Sequence, residues 1–316
     1  MRFSRSRVGA TAILALFVAA GAGCTIVGKV RSKNELNETA RAYREGHFEE
    51  AEQHAKKALA LDPDNKTARI FLARVIHQQY KPGIDVPPNV DEVQAKIKAA
   101  LDKNPNDQEA LKQKAALDTA IHNVQRARDA IDAYKDILKT DPKNEEAYKA
   151  ISVLLAAIKD DKALRDWITT RANDTTKKDT ERAEAYAILA GKDWDCSFKV
   201  TELPEVKITS NEGGKPKVTY KKPEQKEFDR IDQCVTRGLE EAETAIKLDS
   251  NNESAWSYKT NLLLERAKLA DMDGKPDKKE EYTKMADVAN KRASALADER
   301  RKKEEAAEQA ASPAAP

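Results

Sequence analysis

Four segments of this sequence repeat one helix-ending pattern, and this self-similarity restricts the fold more than any other feature. In each segment a small or aliphatic pair closes an amphipathic stretch, and an acidic or amide turn follows. Proline stands in the first three turns and ends a helix there, because it has no N–H to donate. Asp249-Ser250 takes that place in the fourth. The segments are Ala58–Asn65, Ala100–Asp107, Ile137–Asn144 and Ala245–Asn252. Recurring helical units stack lengthwise, each on its neighbours.

The unit from Ser32 to Asn65 shows the repeat most completely. Gly46 permits a tight turn between two helices. Five mostly small residues then fall on one stripe at helical spacing: Phe48, Ala51, Ala55, Ala58 and Leu59. Glycine at the turn, an aromatic two residues later, alanine at the helix crossing and a terminal Pro63 resemble the tetratricopeptide repeat, a helix–turn–helix unit of about 34 residues. The unit departs from that pattern at Thr39, where the family usually has Gly or Ala.

The resemblance implies an all-α fold, a tetratricopeptide-like helical solenoid of about six helix pairs with a small β-hairpin insertion. We expect helical repeats over residues 32–192 and 227–298, a hairpin insertion over 193–226, and a charged, Ala/Pro-rich disordered tail over 299–316. The spacing between the prolines of the first three segments predicts short insertions of eight and three residues. The first is visible as the loop Lys81–Pro88.

The hairpin is predicted from a change of periodicity. Asp193–Thr201 alternates at period two, which favours an extended segment. Val206–Thr209 and Lys217–Tyr220 flank a turn that contains Gly213-Gly214, a pattern typical of a β-hairpin. Helical periodicity resumes near Phe228.

The N-terminus has the features of a targeting segment. A basic stretch through Arg7 precedes the apolar run Val8–Ala20 and the small residues before Cys24. This resembles a bacterial lipoprotein signal, which implies a signal peptide over 1–23, acylation of Cys24 and an outer-membrane anchor facing the periplasm. Two alternatives stay open. Ordinary cleavage after Ala22 would give a soluble periplasmic or secreted protein, and the uncharged run Val8–Gly28 could remain as a membrane anchor.

The other two cysteines are Cys196 and Cys234. In an exported chain an even pair of cysteines favours a disulfide. The alternative, a metal site, would need further ligands, and no histidine lies near either cysteine in the sequence. We expect a disulfide that pins both ends of the hairpin insertion to the helical repeats.

No motif for catalysis, metal binding or cofactor binding stands out. The four histidines lack His-x-x-x-His spacing, and the chain has no phosphate-binding glycine loop or nucleophile elbow. Without residues 1–23, which carry three arginines and no acid, the net charge of +2 becomes −1, so nucleic-acid binding is not expected. We therefore predict a protein that is not an enzyme and needs no cofactor.

The resemblance also implies a binding surface, because the first helix of each tetratricopeptide unit lines a concave groove. By position, the first unit contributes Lys33, Leu36, Ala40, Tyr43 and Arg44, and the second contributes Thr67, Ile70, Arg74, His77 and Gln78. This mixture suits a protein or peptide segment with apolar anchors and acidic groups. The asparagines of the family's carboxylate clamp are absent, so capture of a C-terminal carboxylate is not expected.

The leading functional hypothesis is a non-enzymatic protein-binding scaffold or adaptor of the bacterial cell envelope. The alternative is an accessory subunit that binds a small molecule or a glycan beside the hairpin, where Trp194, Phe198 and Tyr220 supply aromatic surface. A simpler interpretation of these three rings is that they pack the hairpin onto the helices.

Overall fold

The computed structural model describes residues 9–212 and 215–311, with side chains over 26–211 and 216–308. The chain divides into two compact units, Met1–Asp161 and Lys162–Pro316. Within the described residues there are eleven helices and one two-stranded antiparallel sheet. This content confirms the predicted all-α solenoid type with a small hairpin. The side chain of Cys24, and residues 1–8 of the predicted signal peptide, lie outside the described part.

The first unit contains six helices. They are α1 (Gly9–Glu45), α2 (Phe48–Leu61), α3 (Lys66–Gln79), α4 (Val90–Lys103), α5 (Gln108–Thr140) and α6 (Glu145–Ala157). Gly46 has a φ of 78° in the turn between α1 and α2, the left-handed conformation that glycine adopts without strain. Across this turn α2 packs with alanines, and Ala51, Ala55 and Ala58 are fully buried.

Each of the four repeated segments ends one helix and caps the start of the next. The last residue of each segment is an N-cap whose side chain accepts a hydrogen bond from the backbone N–H of an alanine three residues later. Those alanines are all buried. The N-cap and alanine pairs are Asn65 with Ala68, Asp107 with Ala110, Asn144 with Ala147, and Asn252 with Ala255. The pattern thus ends one helix and starts the next within four residues.

The second repeat is interrupted more than the proline spacing predicts. Helix α3 packs on both α2 and α5, whereas the main packing partner of α4 is α5 alone. His77 of α3 contacts Tyr134, and Arg69 donates to Thr140, so the second half of α5 pairs with α3. Residues 81–125, here called the insertion, therefore separate the two helices of one repeat. A local helix-ending motif does not specify which helices pair, so two short insertions were the wrong interpretation.

The second unit contains the other five helices and the hairpin. They are α7 (Asp161–Asn173), α8 (Asp179–Thr201), β1 (Lys207–Glu212), β2 (Lys215–Tyr220), α9 (Gln225–Leu248), α10 (Glu253–Met272) and α11 (Pro276–Ala311). Helix α8 packs on α9 and α10, and α10 packs on α11. The strands pair with Lys207 opposite Tyr220 and Ile208 opposite Thr219. Gly238 lets α9 approach α8, because a Cβ there would lie 2.9 Å from the Cβ of Asp193.

Two predicted boundaries differ from the structure. Asp193–Thr201 is the end of α8 and not an extended segment, and the hairpin begins only at Lys207. Within the segment Asp193–Thr201, four buried residues have the spacing of one helical face: Asp193, Ser197, Val200 and Thr201. Burial of this face outweighs the short alternating pattern of the sequence. Helix α11 continues past Asp298 to Ala311, through residues that are good helix formers. No helix within the described residues is long and apolar enough to span a bilayer.

Candidate functional site

The predicted groove residues lie on α1 and α3, the first helices of the first two repeats. Four of them are exposed: Lys33, Arg44, Thr67 and Gln78. The remaining predicted residues are half-buried: Leu36, Ala40, Tyr43, Ile70, Arg74 and His77. The structure brings three of them, Tyr43, Arg74 and His77, into one cluster with residues of α5 and α6. It gives Lys33, Leu36, Arg44 and Ile70 no polar or aromatic contact with that cluster.

Arg74 is the charged centre of this cluster. Its Nε donates to Oε1 of Glu146 at 2.9 Å and its Nη2 donates to Oε2 at 2.7 Å. The two side chains thus form a bidentate ion pair between α3 and α6. This hydrogen bonding raises the pKa of Arg74 and lowers the pKa of Glu146. The two side chains are 42% and 59% exposed, so both charges remain open to solvent and to a ligand.

Tyr43 and Tyr134 lie near enough to Arg74 to interact electrostatically with its guanidinium. The ring of His77 meets Tyr134 edge-on at 5.8 Å between centroids, and its Nδ1 lies 3.2 Å from the Tyr134 hydroxyl. Burial raises the pKa of Tyr134 to about 12 and lowers the pKa of His77, so both are neutral at pH 7. Tyr43 packs edge-on against Phe48 and Phe71. We call Tyr43, Arg74, His77, Tyr134 and Glu146 the α3 face.

Tyr134 and Glu146 were missed because the insertion places them far from α3 in the sequence. A spacing signal could have found Tyr134. Ala51, Ala55, Ala58 and Pro63 follow one another at intervals of four, three and five residues. Ala130, Tyr134, Ile137 and Pro142 repeat those intervals, which marks the second half of α5 as the second helix of a repeat. Glu146 then falls at the start of the next first helix.

The first unit also contains a pocket of about 750 Å³, here called the insertion pocket. Its walls come from the start of α2, the end of α3, the loop after it and the middle of α5. Gln78 is the only predicted groove residue that lines it. The lining residues are Gly46, His47, Phe48, Glu49, Glu50, Gln53, Gln78, Gln79, Lys81, Ile84, Thr119, His122, Asn123 and Arg126.

The aromatic residues near the hairpin make packing contacts. Trp194 and Phe198 lie 4.8 Å apart between ring centroids. The Nζ of Lys268 lies 5.4 Å from the Phe198 ring and 5.1 Å from the Tyr220 ring, so one half-buried ammonium joins α8, β2 and α10. These contacts match the simpler interpretation, in which the rings hold the hairpin on the helices.

The predicted cysteine pair is a disulfide in the structure. The two Sγ atoms lie 2.08 Å apart and the Cα atoms 6.3 Å apart, and the bond joins α8 to α9. It therefore connects the two helices that flank the hairpin. Within the described ranges, no group of three or more His, Cys, Asp and Glu side chains could hold a metal ion.

The second unit contains a buried ionic cluster. The side chain of Asp193 is 2% exposed and accepts from both Arg165 Nη atoms at 3.1 Å and from Arg237 Nε at 2.8 Å. Glu241 also contacts Arg165. Burial is the main cause that raises the pKa of Glu241 to about 8, and the neighbouring Asp193 adds to it. The two arginines satisfy Asp193 and leave little of it accessible to a ligand, whereas Oε2 of Glu241 has no hydrogen-bond partner within the described residues.

Comparisons with known proteins support the repeat but identify no close relative. Residues 42–79 match the family model described as tetratricopeptide repeat. No curated protein matches the chain. Among solved structures, the complex of the TPR2AB domain of yeast Sti1 with pHSP90 is 14% identical over 83% of this chain and 98% of that chain, with a TM-score of 0.20. Naa15/Naa10 bound to HypK-THB is 15% identical over 82% of this chain and 54% of that chain, with a TM-score of 0.16.

TM-scores this low carry no argument about fold or function. The family match coincides with the end of α1, all of α2 and all of α3, the stretch in which turn, alanine packing and capping follow the repeat. The chain therefore carries a tetratricopeptide repeat over residues 42–79.

Proposed function

We propose that this chain is a non-enzymatic protein-binding scaffold or adaptor of the bacterial cell envelope, which holds a segment of a partner protein on the α3 face. The observation that carries the proposal is the cluster itself. Side chains from the first helices of consecutive repeats come together there: Arg74 and Glu146 form an exposed ion pair, and Tyr43 interacts electrostatically with Arg74.

The chemistry of the α3 face suits a peptide with mixed character. An acidic side chain of the partner can exchange for Glu146 on the Arg74 guanidinium, because an exposed ion pair holds its partners weakly. A basic side chain can equally approach Glu146. The half-buried rings of Tyr43 and His77 offer apolar area beside these charges. The face therefore selects segments in which a charged residue lies next to an apolar one.

The electrostatics of the α3 face suit recognition of a partner. Arg74 stays charged near neutral pH and offers several N–H donors. Burial lowers the pKa of His77 and raises the pKa of Tyr134, so both rings stay neutral and add uncharged aromatic surface beside the guanidinium.

The envelope assignment is supported by the N-terminal sequence pattern that ends in Cys24 and by the disulfide, since disulfides persist in oxidising compartments. Ile26, Val27 and Val30 follow Cys24 on α1 and are 64%, 50% and 58% exposed. An acylated Cys24 would place these aliphatic side chains next to the bilayer surface. Anchoring in the outer membrane is part of the same proposal.

Site-specific photo-crosslinking tests the scaffold function. A photoreactive amino acid replaces Tyr43, Arg74 or His77 in the full chain inside cells, and adducts are identified by mass spectrometry. Control positions are Lys57 on α2 and Lys112 on α5, which are exposed and outside the α3 face. We expect one recurrent protein adduct at the three test positions and not at the controls. Equal adduct patterns at all five positions would contradict the proposal.

Metabolic labelling with an alkyne fatty acid tests the anchor. The wild-type protein should carry the label and fractionate with membranes, and Cys24→Ala should lose both properties. An unlabelled wild-type protein that begins at Gly23, or an unlabelled full-length one, would instead support one of the two alternative fates of the N-terminus.

A further inference from the structure

The insertion pocket exists because the second repeat is interrupted. It is lined by the turn before α2 and the first residues of α2, by the end of α3, by the loop after α3 and by the middle of α5. A volume of about 750 Å³ falls within the range of pockets that bind small molecules or short segments. A continuous repeat would place its second helix directly after α3 and leave no such space.

The wall formed by the loop is held in place by Asn123. This side chain is buried, and its Oδ1 accepts from the backbone N–H of Lys81 at 2.7 Å. Its Nδ2 donates to the carbonyls of Lys81 at 2.9 Å and Ile84 at 3.1 Å. One amide thus holds both ends of the loop segment that enters the pocket. Because this wall is ordered before a ligand binds, binding costs less conformational entropy.

Four side-chain amides line the pocket, those of Gln53, Gln78, Gln79 and Asn123. The other polar lining residues are Thr119, the histidines His47 and His122, and four charged residues. The side-chain amides of Gln53 and Gln78 make no hydrogen bond with any residue in the described ranges, whereas the side chain of Gln79 donates to Glu52 at 2.7 Å. A carboxamide offers two donors and one acceptor group, which match the C=O and N–H of a peptide unit. The pocket therefore presents unused amide groups to a ligand.

The four charged residues that line the pocket, Glu49, Glu50, Lys81 and Arg126, sum to no net formal charge. Arg126 is already paired with Glu52 and with Asp129 at 3.1 Å. The buried Nε of Arg126 has no hydrogen-bond partner in the described part of the chain. An anion such as phosphate would meet the two glutamates, so the balance favours a neutral, polar ligand. Phe48 and Ile84, both half-buried, add a small apolar surface.

We infer that the insertion pocket binds a neutral, extended peptide segment through its main-chain amides, with an aliphatic side chain between Phe48 and Ile84. This inference rests on the proposed function, because it assigns part of the partner to a second site beside the α3 face. Gln53 and Gln78 bind the peptide backbone, and they therefore select extended, uncharged sequence without selecting particular side chains.

Nitrogen-15 NMR of the full chain tests this inference directly. Three probes are titrated separately: N-acetyl-Leu-Gly-Ser N-methylamide, N-acetylglucosamine and inorganic phosphate. The blocked tripeptide should shift the side-chain amide signals of Gln53 and Gln78 in a saturable way, and the other two probes should not. The double variant Gln53→Ala/Gln78→Ala should raise the Kd of the tripeptide roughly tenfold, the effect of losing two modest hydrogen bonds.

The variant Arg74→Ala separates this inference from the proposed function. It should leave tripeptide binding to the pocket unchanged. If Arg74→Ala weakens binding and the double glutamine variant does not, the peptide binds on the α3 face, and the pocket inference is wrong while the scaffold function stands. Shifts caused by the sugar or by phosphate alone, or no shift from the tripeptide, would also overturn it. Both glutamines are exposed, and the dispersion of the remaining NMR signals verifies that the variants fold.

Discussion

The two units interrupt their helical repeats in different ways. In the first unit the insertion is itself helical, and neutral amide hydrogen bonds from Asn123 attach its loop. In the second unit the interruption is a β-hairpin, and a disulfide joins the helices on its two sides while Lys268 contacts its aromatic residue Tyr220. The first arrangement leaves a pocket with unused hydrogen-bonding groups. In the second unit, the charged groups beside the hairpin bond to one another, as Lys268 does to Glu265 and Glu202.

This difference follows from how much structure each interruption can form alone. A helical insertion satisfies its own backbone and packs through α5, so it needs little further attachment. An isolated two-stranded hairpin is marginal in water and depends on contacts with its surroundings. We therefore expect the second unit to depend on covalent and buried ionic links, and the first to depend on close packing of small side chains.

The largest expected effect is loss of the disulfide. The double variant Cys196→Ser/Cys234→Ser should lower the free energy of unfolding of the second unit by about 4 kcal/mol, because the bond closes a loop across 38 positions. Hydrogen exchange by mass spectrometry should show faster exchange in α8 and α9 and unchanged exchange in α2 and α3. Reductant should have no additional effect on this variant. An equal increase of hydrogen exchange in both units would contradict the expectation that only the second unit depends on the disulfide.

The next effect comes from the buried aspartate. Asp193→Ala leaves Arg165 and Arg237 without their shared carboxylate and should cost the second unit about 3 kcal/mol. Asp195→Ala is the matched control on the same helix, because Asp195 forms only an exposed ion pair with Lys199. The control should change stability by less than about 1 kcal/mol. Chemical denaturation measures both, and similar values for the two variants would show that the buried cluster adds nothing.

Close packing in the first unit is tested with Ala55→Leu. Ala55 is fully buried at the helix crossing, so a larger side chain should cost about 2 kcal/mol through overpacking. Ala60→Leu adds the same atoms at an exposed position of α2 and should change the free energy of unfolding by no more than about 0.5 kcal/mol. If Ala55→Leu is as stable as wild type, small residues are not what holds α2 in place.

The free energy of unfolding of the second unit should also depend on pH, by an amount similar to or smaller than the effect of Ala55→Leu. The first unit should not show this dependence. The pKa of Glu241 is raised to about 8 in the folded state, above its ordinary value of 4.5, so the folded chain keeps a proton that the unfolded chain releases. Stability from this group is thus full below pH 4.5 and falls until pH 8, by about 1 to 2 kcal/mol once solvent screening is allowed for.

The variant Glu241→Gln should abolish that decline when unfolding is measured at intervals from pH 5 to pH 8. Glu240→Gln, at the exposed neighbouring position, should keep it. A decline that survives in Glu241→Gln would assign the titration to a different group.

The smallest effect on stability is expected on the α3 face. Arg74→Ala removes an exposed ion pair and should change the unfolding free energy of the first unit by less than about 0.5 kcal/mol. The same variant should weaken partner binding, since Arg74 is the charged centre of the face. A large loss of stability in thermal denaturation would mean that the pair holds α3 and α6 together and has a structural role.

The fold was predictable from the sequence where local chemistry determines it. The caps at Asn65 and Asn144, the turn at Gly46 and the hairpin strands all follow from short patterns, and the structure contains each of them. The end of α8 was not predicted, because tertiary burial of Asp193 and Ser197 overrides a short alternating pattern.

The candidate site was predictable only in part. Tyr43, Arg74 and His77 follow from their positions in the repeat. Their contacts Tyr134 and Glu146 depend on which helix packs against α3, and a helix-ending motif carries no information about pairing across an insertion. The insertion pocket could not be predicted for the same reason, since its walls come from segments about 70 residues apart in the sequence.

The most direct test of the account is quantitative binding of the partner segment that crosslinking identifies. That segment is synthesised, labelled and titrated by fluorescence anisotropy with the wild-type chain, with Arg74→Ala and with Lys57→Ala as the matched control. The account predicts that Arg74→Ala raises the Kd roughly tenfold or more, as expected for a lost charge-assisted hydrogen bond, and that Lys57→Ala leaves it unchanged. An unchanged Kd for Arg74→Ala would contradict the claim that the α3 face binds the partner.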